Sequence, residues 1–150
     1  MEQVPTPPSQ PSSPESKEKL KPRVLSAEDK EDIRDVLKML LGSRGFEVDF
    51  VDNGVLLIEE LRKRGPGYYS FIVCDNTMPG GNGIDAIEKI RKEMKDFDGT
   101  DIIFFTGDEY EGTRANSLEK VSYIPKTDPR MFLGKVEQIK AKQTLPPEQK

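Results

Sequence analysis

The sequence predicts an α/β fold, a parallel β-sheet covered on both faces by helices. Three observations carry that prediction. Five short apolar runs alternate with five stretches whose apolar residues recur at helical spacing, the order produced when each strand is followed by a crossover helix. Two of the runs, Phe71–Cys74 and Asp101–Phe105, are apolar almost throughout, as strands covered on both faces are. All twelve glycines lie between Gly42 and Gly134, whereas six of the twelve prolines fall in residues 1–22 and two more at Pro146 and Pro147, so the folded part is roughly residues 23–142.

The first strand is the apolar stretch Val24–Ala27. Ile33, Val36, Leu37, Leu40 and Leu41 then form one face of a helix that Gly42 and Gly45 end. Phe46, Val48 and Phe50 alternate with Glu47 and Asp49, which predicts a second strand with one wet face at a sheet edge. A second helix follows Asn53 through Leu57, Ile58 and Leu61, until "RGPG" stops it. After the covered strand Phe71–Cys74, Ile84, Ile87, Ile90 and Met94 mark a third helix. The strand Asp101–Phe105 leads into Glu109–Glu119, a weakly patterned stretch that predicts a short fourth helix. Val121–Pro125 is a fifth strand, with Pro125 tolerable at an edge or a strand end. Asp128 and Pro129 supply an N-cap and a first-turn proline for a last helix through Phe132, Val136 and Ile139.

A chain of 150 residues is expected to form one domain, large enough for a core without disulfides or a structural metal. Residues 1–22, rich in Pro and Ser and almost without apolar residues, cannot bury enough surface to offset their chain entropy and read as a disordered tail or linker. Residues 143–150 read as a flexible C-terminal tail. No stretch has the pattern of a signal peptide or the length of a membrane span, so a soluble, cytoplasmic protein without membrane insertion is expected. Cys74, the single cysteine, sits in an apolar run and reads as packing, and zero histidines remove Ser/His/Asp and Cys/His catalysis and most zinc sites. A net charge of −4 with mixed signs gives no basic footprint for direct nucleic-acid binding, and "LRKRG" (Leu61–Gly65) reads as a solvated helix end.

Why, then, does the apolar run in "FIVCDNTMPGGNGID" stop on a carboxylate? In a parallel sheet of this kind ligands sit outside the carboxyl ends of the strands. Glu28 and Asp29 stand at that end of the first strand, Asp75 at the third, Thr106 at the fourth and Lys126 just past the fifth. Three carboxylates within a few Å repel by roughly 4 kcal/mol per pair at an effective dielectric near 20, and so favour a divalent cation. An all-oxygen set without His or Cys suits Mg²⁺, which shares its shell with water and phosphate. With Lys and Thr beside it, such a site suits phosphoryl transfer in which Asp75 is the nucleophile.

These residues carry a resemblance. The acidic pair in "VLSAEDKEDIR", the acceptor in "FIVCDNTMPGGNG", the threonine in "IIFFTGD" and the lysine in "YIPK" are together similar to the receiver domain of two-component response regulators, over residues 23 to about 141. The resemblance implies a flavodoxin-like fold, doubly wound, with strand order 2-1-3-4-5. It implies that Glu28, Asp29, Asp75 and the backbone carbonyl of Thr77 hold Mg²⁺, and that Asp75 accepts the phosphoryl group. Thr106 and Lys126 would bind that group, Tyr123 would be the aromatic that turns inward when Thr106 moves, and Thr77 and Asp108 would adjust the acyl phosphate's lifetime. The implied function is a phosphorylation-dependent switch. A histidine kinase or histidine phosphotransfer protein is the expected donor, since this chain has no histidine, and a downstream protein is the expected target.

The sequence departs from the family pattern in three respects. Lys126 is followed by Thr127 where the family usually has proline, which places the family's usual cis peptide in question. The span from Thr106 to Lys126 is short and lacks the usual Gly-Ala before the fifth strand, so a reduced or irregular fourth helix is expected. Two other readings stand beside the switch. One is a pseudo-receiver that binds partners without phosphorylation. The other is an aspartate-nucleophile Mg²⁺-dependent phosphatase, although Thr77 occupies the position where those enzymes need a second acid, so the chain is expected to catalyse only its own phosphorylation and dephosphorylation.

Overall fold

The computed structural model describes residues 21–143, so nearly all of both expected tails lies outside the described residues. Strands β1 (Arg23–Ala27), β2 (Glu47–Val51), β3 (Phe71–Cys74), β4 (Asp101–Thr106) and β5 (Val121–Pro125) alternate with helices α1 (Glu31–Gly42), α2 (Gly54–Arg64), α3 (Gly83–Glu93), α4 (Glu109–Ala115) and α5 (Pro129–Gln143). A single 3₁₀ turn, Lys95–Phe97, follows α3. All strand pairs are parallel and the order is β2-β1-β3-β4-β5, the flavodoxin-like arrangement of the receiver fold.

Both faces of the sheet's centre are dry. Along β3 the side chains alternate: Phe71 and Val73 join Leu37 and Leu41 of α1 and Phe132 and Val136 of α5, while Ile72 and Cys74 join Leu57 of α2 and Ile87 of α3. A wholly apolar strand therefore serves two cores, as the sequence predicts. Each fully buried Phe, Leu or Ile, such as Phe71, Phe104 or Leu25, contributes about 1.5–3 kcal/mol through burial.

Several predicted details change. Val36 is 39% exposed, because it lies at the margin of the α1 stripe that Leu37 and Leu41 centre. Strand β2 is an edge strand, yet Asp49 does not simply face water. Arg23 donates to both its oxygens, at 2.6 and 3.1 Å, and the Tyr69 hydroxyl lies 2.9 Å from Asp49 Oδ2 and 2.7 Å from Glu60 Oε2, with one proton to share between them. Burial and these two carboxylates push the Tyr69 hydroxyl well above its ordinary pKa. Strand β4 runs one residue further than predicted, to Thr106, and α5 one residue past 142. Asp128 Oδ1 accepts from the Met131 amide, the predicted cap of α5.

The fourth helix is short, seven residues ending at Ala115 rather than Glu119. The loop between it and β5 is anchored by a side chain of α3. The guanidinium of Arg91, 5% exposed at the end of α3, donates to the carbonyls of Glu119 at 2.6 Å, Phe97 at 3.0 Å and Thr100 at 2.5 Å. With the Lys120 carbonyl at 3.5 Å, four carbonyls near the foot of β4 and β5 thus share one cation, and Lys120 takes a left-handed φ of 56°. Replacing Arg91 by Leu removes the donor to the Glu119 and Thr100 carbonyls, while Phe97 O keeps the Thr100 amide at 2.9 Å. Urea unfolding should show a loss of about 3 kcal/mol or more, and a loss below about 1 kcal/mol would mean water satisfies them.

Candidate functional site

The site follows from register. Strands β1 and β3 are neighbours with Ala27 level with Cys74, so the next residue of each strand emerges at one rim. The ladder continues one step past the strands: the Asp75 amide donates to Ala27 O at 3.0 Å and the Glu28 amide to Val51 O at 3.0 Å. These bonds fix the backbone that carries both carboxylates. Glu28, Asp29 and Asp75 each offer a carboxylate oxygen, all within 4.8 Å of one another.

Lys126, just past β5, reaches across the rim. Its Nζ lies 3.2 Å from Glu28 Oε1 and 3.1 Å from Asp75 Oδ2, both carboxylates being almost wholly buried. One ammonium faces three acids. Burial, then the neighbouring Asp75 charge, hold the Glu28 carboxyl above the usual carboxylate range, and Lys126 offsets this only in part. For Lys126, burial works against the charge, but Asp75 and Glu28 outweigh it and raise its pKa, so it stays protonated at neutral pH.

One oxygen is left over. Asp29 Oδ1 is buried and has no hydrogen-bond partner. A surplus of negative charge, an orphaned buried carboxylate oxygen and an all-oxygen donor set fit a small hard cation. Receiver domains bind Mg²⁺ through an acidic pocket of this kind.

Of the other predicted residues, Thr106 stands at the rim. Thr106, 2% exposed, ends β4, and its Oγ1 accepts from the Asp108 amide at 3.1 Å. Its carbonyl accepts from the Lys126 amide at 3.2 Å, which ties the ends of β4 and β5 together. Thr77 is exposed in the loop after Asp75. Tyr123 lies outside the rim, half-buried on β5, with its backbone N–H donating to Asn116 Oδ1. Its ring lies against the backbone of Gly112 in α4, where an added Cβ would come within 2.3 Å. No peptide bond among the described residues is cis, so the backbone after Lys126 departs from the family pattern as Thr127 suggested.

Sequence reasoning missed two participants. Asn76 is 4% exposed: its own amide donates to Asp75 Oδ1 at 2.7 Å, its side-chain oxygen accepts from the Ile84 amide, and its side-chain nitrogen donates to Asp108 Oδ2. A polar residue directly after an apolar strand was the available signal, hidden behind Asp75. Gly83 is the other, since a Cβ there would sit 1.8 Å from the Asp75 carbonyl oxygen. Only glycine lets α3 begin against the strand end, which the sequence shows merely as a glycine-rich loop.

The raised Glu28 pKa has a measurable consequence. Its ionised form is penalised at neutral pH, and the penalty fades as pH falls through the raised folded value toward the ordinary 4.5. Glu28→Gln should therefore unfold at a higher temperature than the wild type in EDTA at neutral pH, with the gap narrowing in mild acid, while Mg²⁺ affinity falls. Thermal melts at two pH values and a Mg²⁺ titration check it, and a lower melting temperature for Glu28→Gln at neutral pH would contradict it.

Residues 24–136 match the family described as the response regulator receiver domain. The chain is 30% identical over 97 residues to the transcriptional regulatory protein ResD of Bacillus subtilis, covering 65% of this chain and 38% of that protein. It is 30% identical over 96 residues to the autoinducer 2 sensor kinase/phosphatase LuxQ of Vibrio vulnificus, covering 64% of this chain and 11% of that protein. The chain thus spans well under two thirds of these relatives. Among solved structures, the response regulator TrrA of Thermotoga maritima, in complex with Mg²⁺-BeF, superposes with a TM-score of 0.66 at 26% identity, covering 79% of this chain and 98% of that one. The matched span, the strand order and the acidic rim agree: the chain belongs to the response regulator receiver domain family of two-component systems, which signal by phosphorylation.

Proposed function

We propose that this chain is a phosphorylation switch in which Asp75 takes a phosphoryl group from a phosphohistidine on a histidine kinase or histidine phosphotransfer protein. One observation carries the reading. Lys126 grips both Glu28 and Asp75 while Asp29 keeps an unpartnered oxygen, so the rim has a cation's ligands and a movable counter-charge beside one nucleophile. Glu28, Asp29, Asp75 and the Thr77 carbonyl would hold Mg²⁺, whose charge would offset that of the incoming phosphoryl oxygens.

In the proposed step an Asp75 oxygen attacks phosphorus, the P–N bond to the donor imidazole breaks, and the imidazole, already protonated on its other nitrogen, takes that electron pair and leaves neutral. Lys126 exchanges a carboxylate for a phosphoryl oxygen, and the Thr106 hydroxyl donates to another. Thr106 would draw the β4–α4 loop inward, Tyr123 would follow, and the changed surface would meet a downstream protein in the cytoplasm. Thr77 in place of a second acid leaves no proton donor for turnover on an outside substrate. Among the described residues no helix is long and apolar enough to cross a membrane.

Amide NMR of the full chain with beryllofluoride, an acyl-phosphate mimic, tests the reading. In Mg²⁺ the shifts should centre on Asp75, Thr106 and Lys126 and spread toward Tyr123. They should vanish in EDTA and in Asp75→Asn. A wild type silent to saturating mimic in Mg²⁺ would exclude the switch and leave a pseudo-receiver that binds its partners constitutively.

A further inference from the structure

Asn76 links three parts of the molecule that the reaction would use. Its Oδ1 accepts from the Ile84 amide at 3.0 Å and its carbonyl from the Gly83 amide at 2.8 Å, both at the start of α3. Its Nδ2 donates to Asp108 Oδ2 at 3.1 Å. The orientation of the side-chain amide is settled by its partners, because a backbone N–H can only donate and a carboxylate can only accept. Asp108 in turn caps α4, its Oδ1 accepting from the Glu111 amide at 3.0 Å, and its own amide donates to Thr106 Oγ1. Both carboxylate oxygens of Asp108 are therefore engaged, one by a helix end and one by the residue after Asp75.

We infer that Asn76 is a positioning residue that holds the Asp108 carboxylate away from attacking water and so lengthens the life of a phosphoryl group on Asp75. The inference rests on the switch reading above. Loss of that group requires a water oxygen to bond to phosphorus as the P–O bond to Asp75 breaks. The electron pair of that bond returns to the Asp75 carboxylate, and the water's protons end on inorganic phosphate. A free carboxylate flanking the acceptor orients such a water and relays its proton. Asp108 is an acid outside the metal cluster whose carboxylate meets the residue following Asp75 and whose amide meets Thr106. With Oδ2 tied to Asn76 it does neither; released, it does both.

The test labels the full chain with acetyl phosphate in saturating Mg²⁺, removes the donor and follows loss of the phosphorylated species by mass spectrometry. Asn76→Ala should shorten the lifetime several-fold. In the background of Asp108→Asn, which keeps an oxygen for the Glu111 amide but has no carboxylate, the same substitution should have no effect. Asn76→Asp, which still accepts from Ile84 but cannot donate to Asp108, should shorten the lifetime too, and it stands in if Asn76→Ala does not fold. Unchanged lifetimes in the Asn76 variants, or equal shortening with Asn at 108, would overturn the inference. A wild type that never becomes labelled would overturn the switch reading and this inference with it, a failure visible without any variant.

Discussion

Electrostatic crowding at the carboxyl ends of β1 and β3 is the constraint around which the molecule is arranged. Parallel pairing with Ala27 level with Cys74 brings Glu28, Asp29 and Asp75 to one rim, their backbone anchored by the bonds from the Asp75 amide to Ala27 O and from the Glu28 amide to Val51 O. At close range each pair repels by about 4 kcal/mol at an effective dielectric near 20, well above what a surface ion pair returns. Lys126 relieves part of this from β5, two strands away from β3. The sheet must therefore be stiff enough to keep the ends of β1, β3 and β5 at fixed separation. The two dry cores provide that stiffness, with β3 and β4 buried on both faces.

The same crowding explains the close contacts beneath the rim. Gly83 abuts the Asp75 carbonyl, so α3 and the end of β3 are in backbone contact with no side chain between them. Asn76 then uses its backbone carbonyl and its side-chain oxygen to satisfy the first amides of α3, which its preceding residue Asn82 leaves without a side-chain cap. Asp75 is thus held on both sides: by the Ala27 carbonyl through its own amide and by the start of α3 through its neighbour.

Most of the fold was legible because hydrophobic periodicity is local. Each of the five strands and five helices announces itself within a few residues, and the apolar runs of β3 and β4 gave their central place directly. The rim was legible for a different reason: strand ends are the points where chemistry concentrates in this architecture, so Glu28, Asp29, Asp75, Thr106 and Lys126 could be read off the ends of four apolar runs. What remained hidden depends on contacts between segments far apart in the chain. Nothing near Asn76 says that it meets Asp108, 32 residues on, and nothing near Arg91 says that it holds the carbonyl of Glu119, 28 residues on. Asp49 misled for the same reason, since its alternation reads as a wet face until Arg23, 26 residues earlier, is placed beside it.

The fourth crossover shows how a small structural change at the rim can travel. Helix α4 has seven residues and buries only Gly112 and Ala115, so it contributes little apolar surface of its own. Its position is set mainly by polar and ring contacts: Asp108 at the N-cap, the Arg114 ion pair to Glu88 of α3, Asn116 accepting from the Tyr123 amide, and the Tyr123 ring lying in the space a side chain at 112 would fill. Because that ring touches helix backbone, α4 and Tyr123 cannot be displaced independently. Thr106 Oγ1 accepts from the amide of Asp108, the residue that caps α4, so a displaced Thr106 would act on the cap as well as on the Lys126 backbone that its carbonyl holds. A helix with a large apolar face would resist such a displacement by several kcal/mol, about 1.5–3 for each buried Leu or Ile it carried. A helix held by a cap, a surface ion pair and a ring resists less, which is why the proposed switch would run from the rim through α4 to the surface around Tyr123.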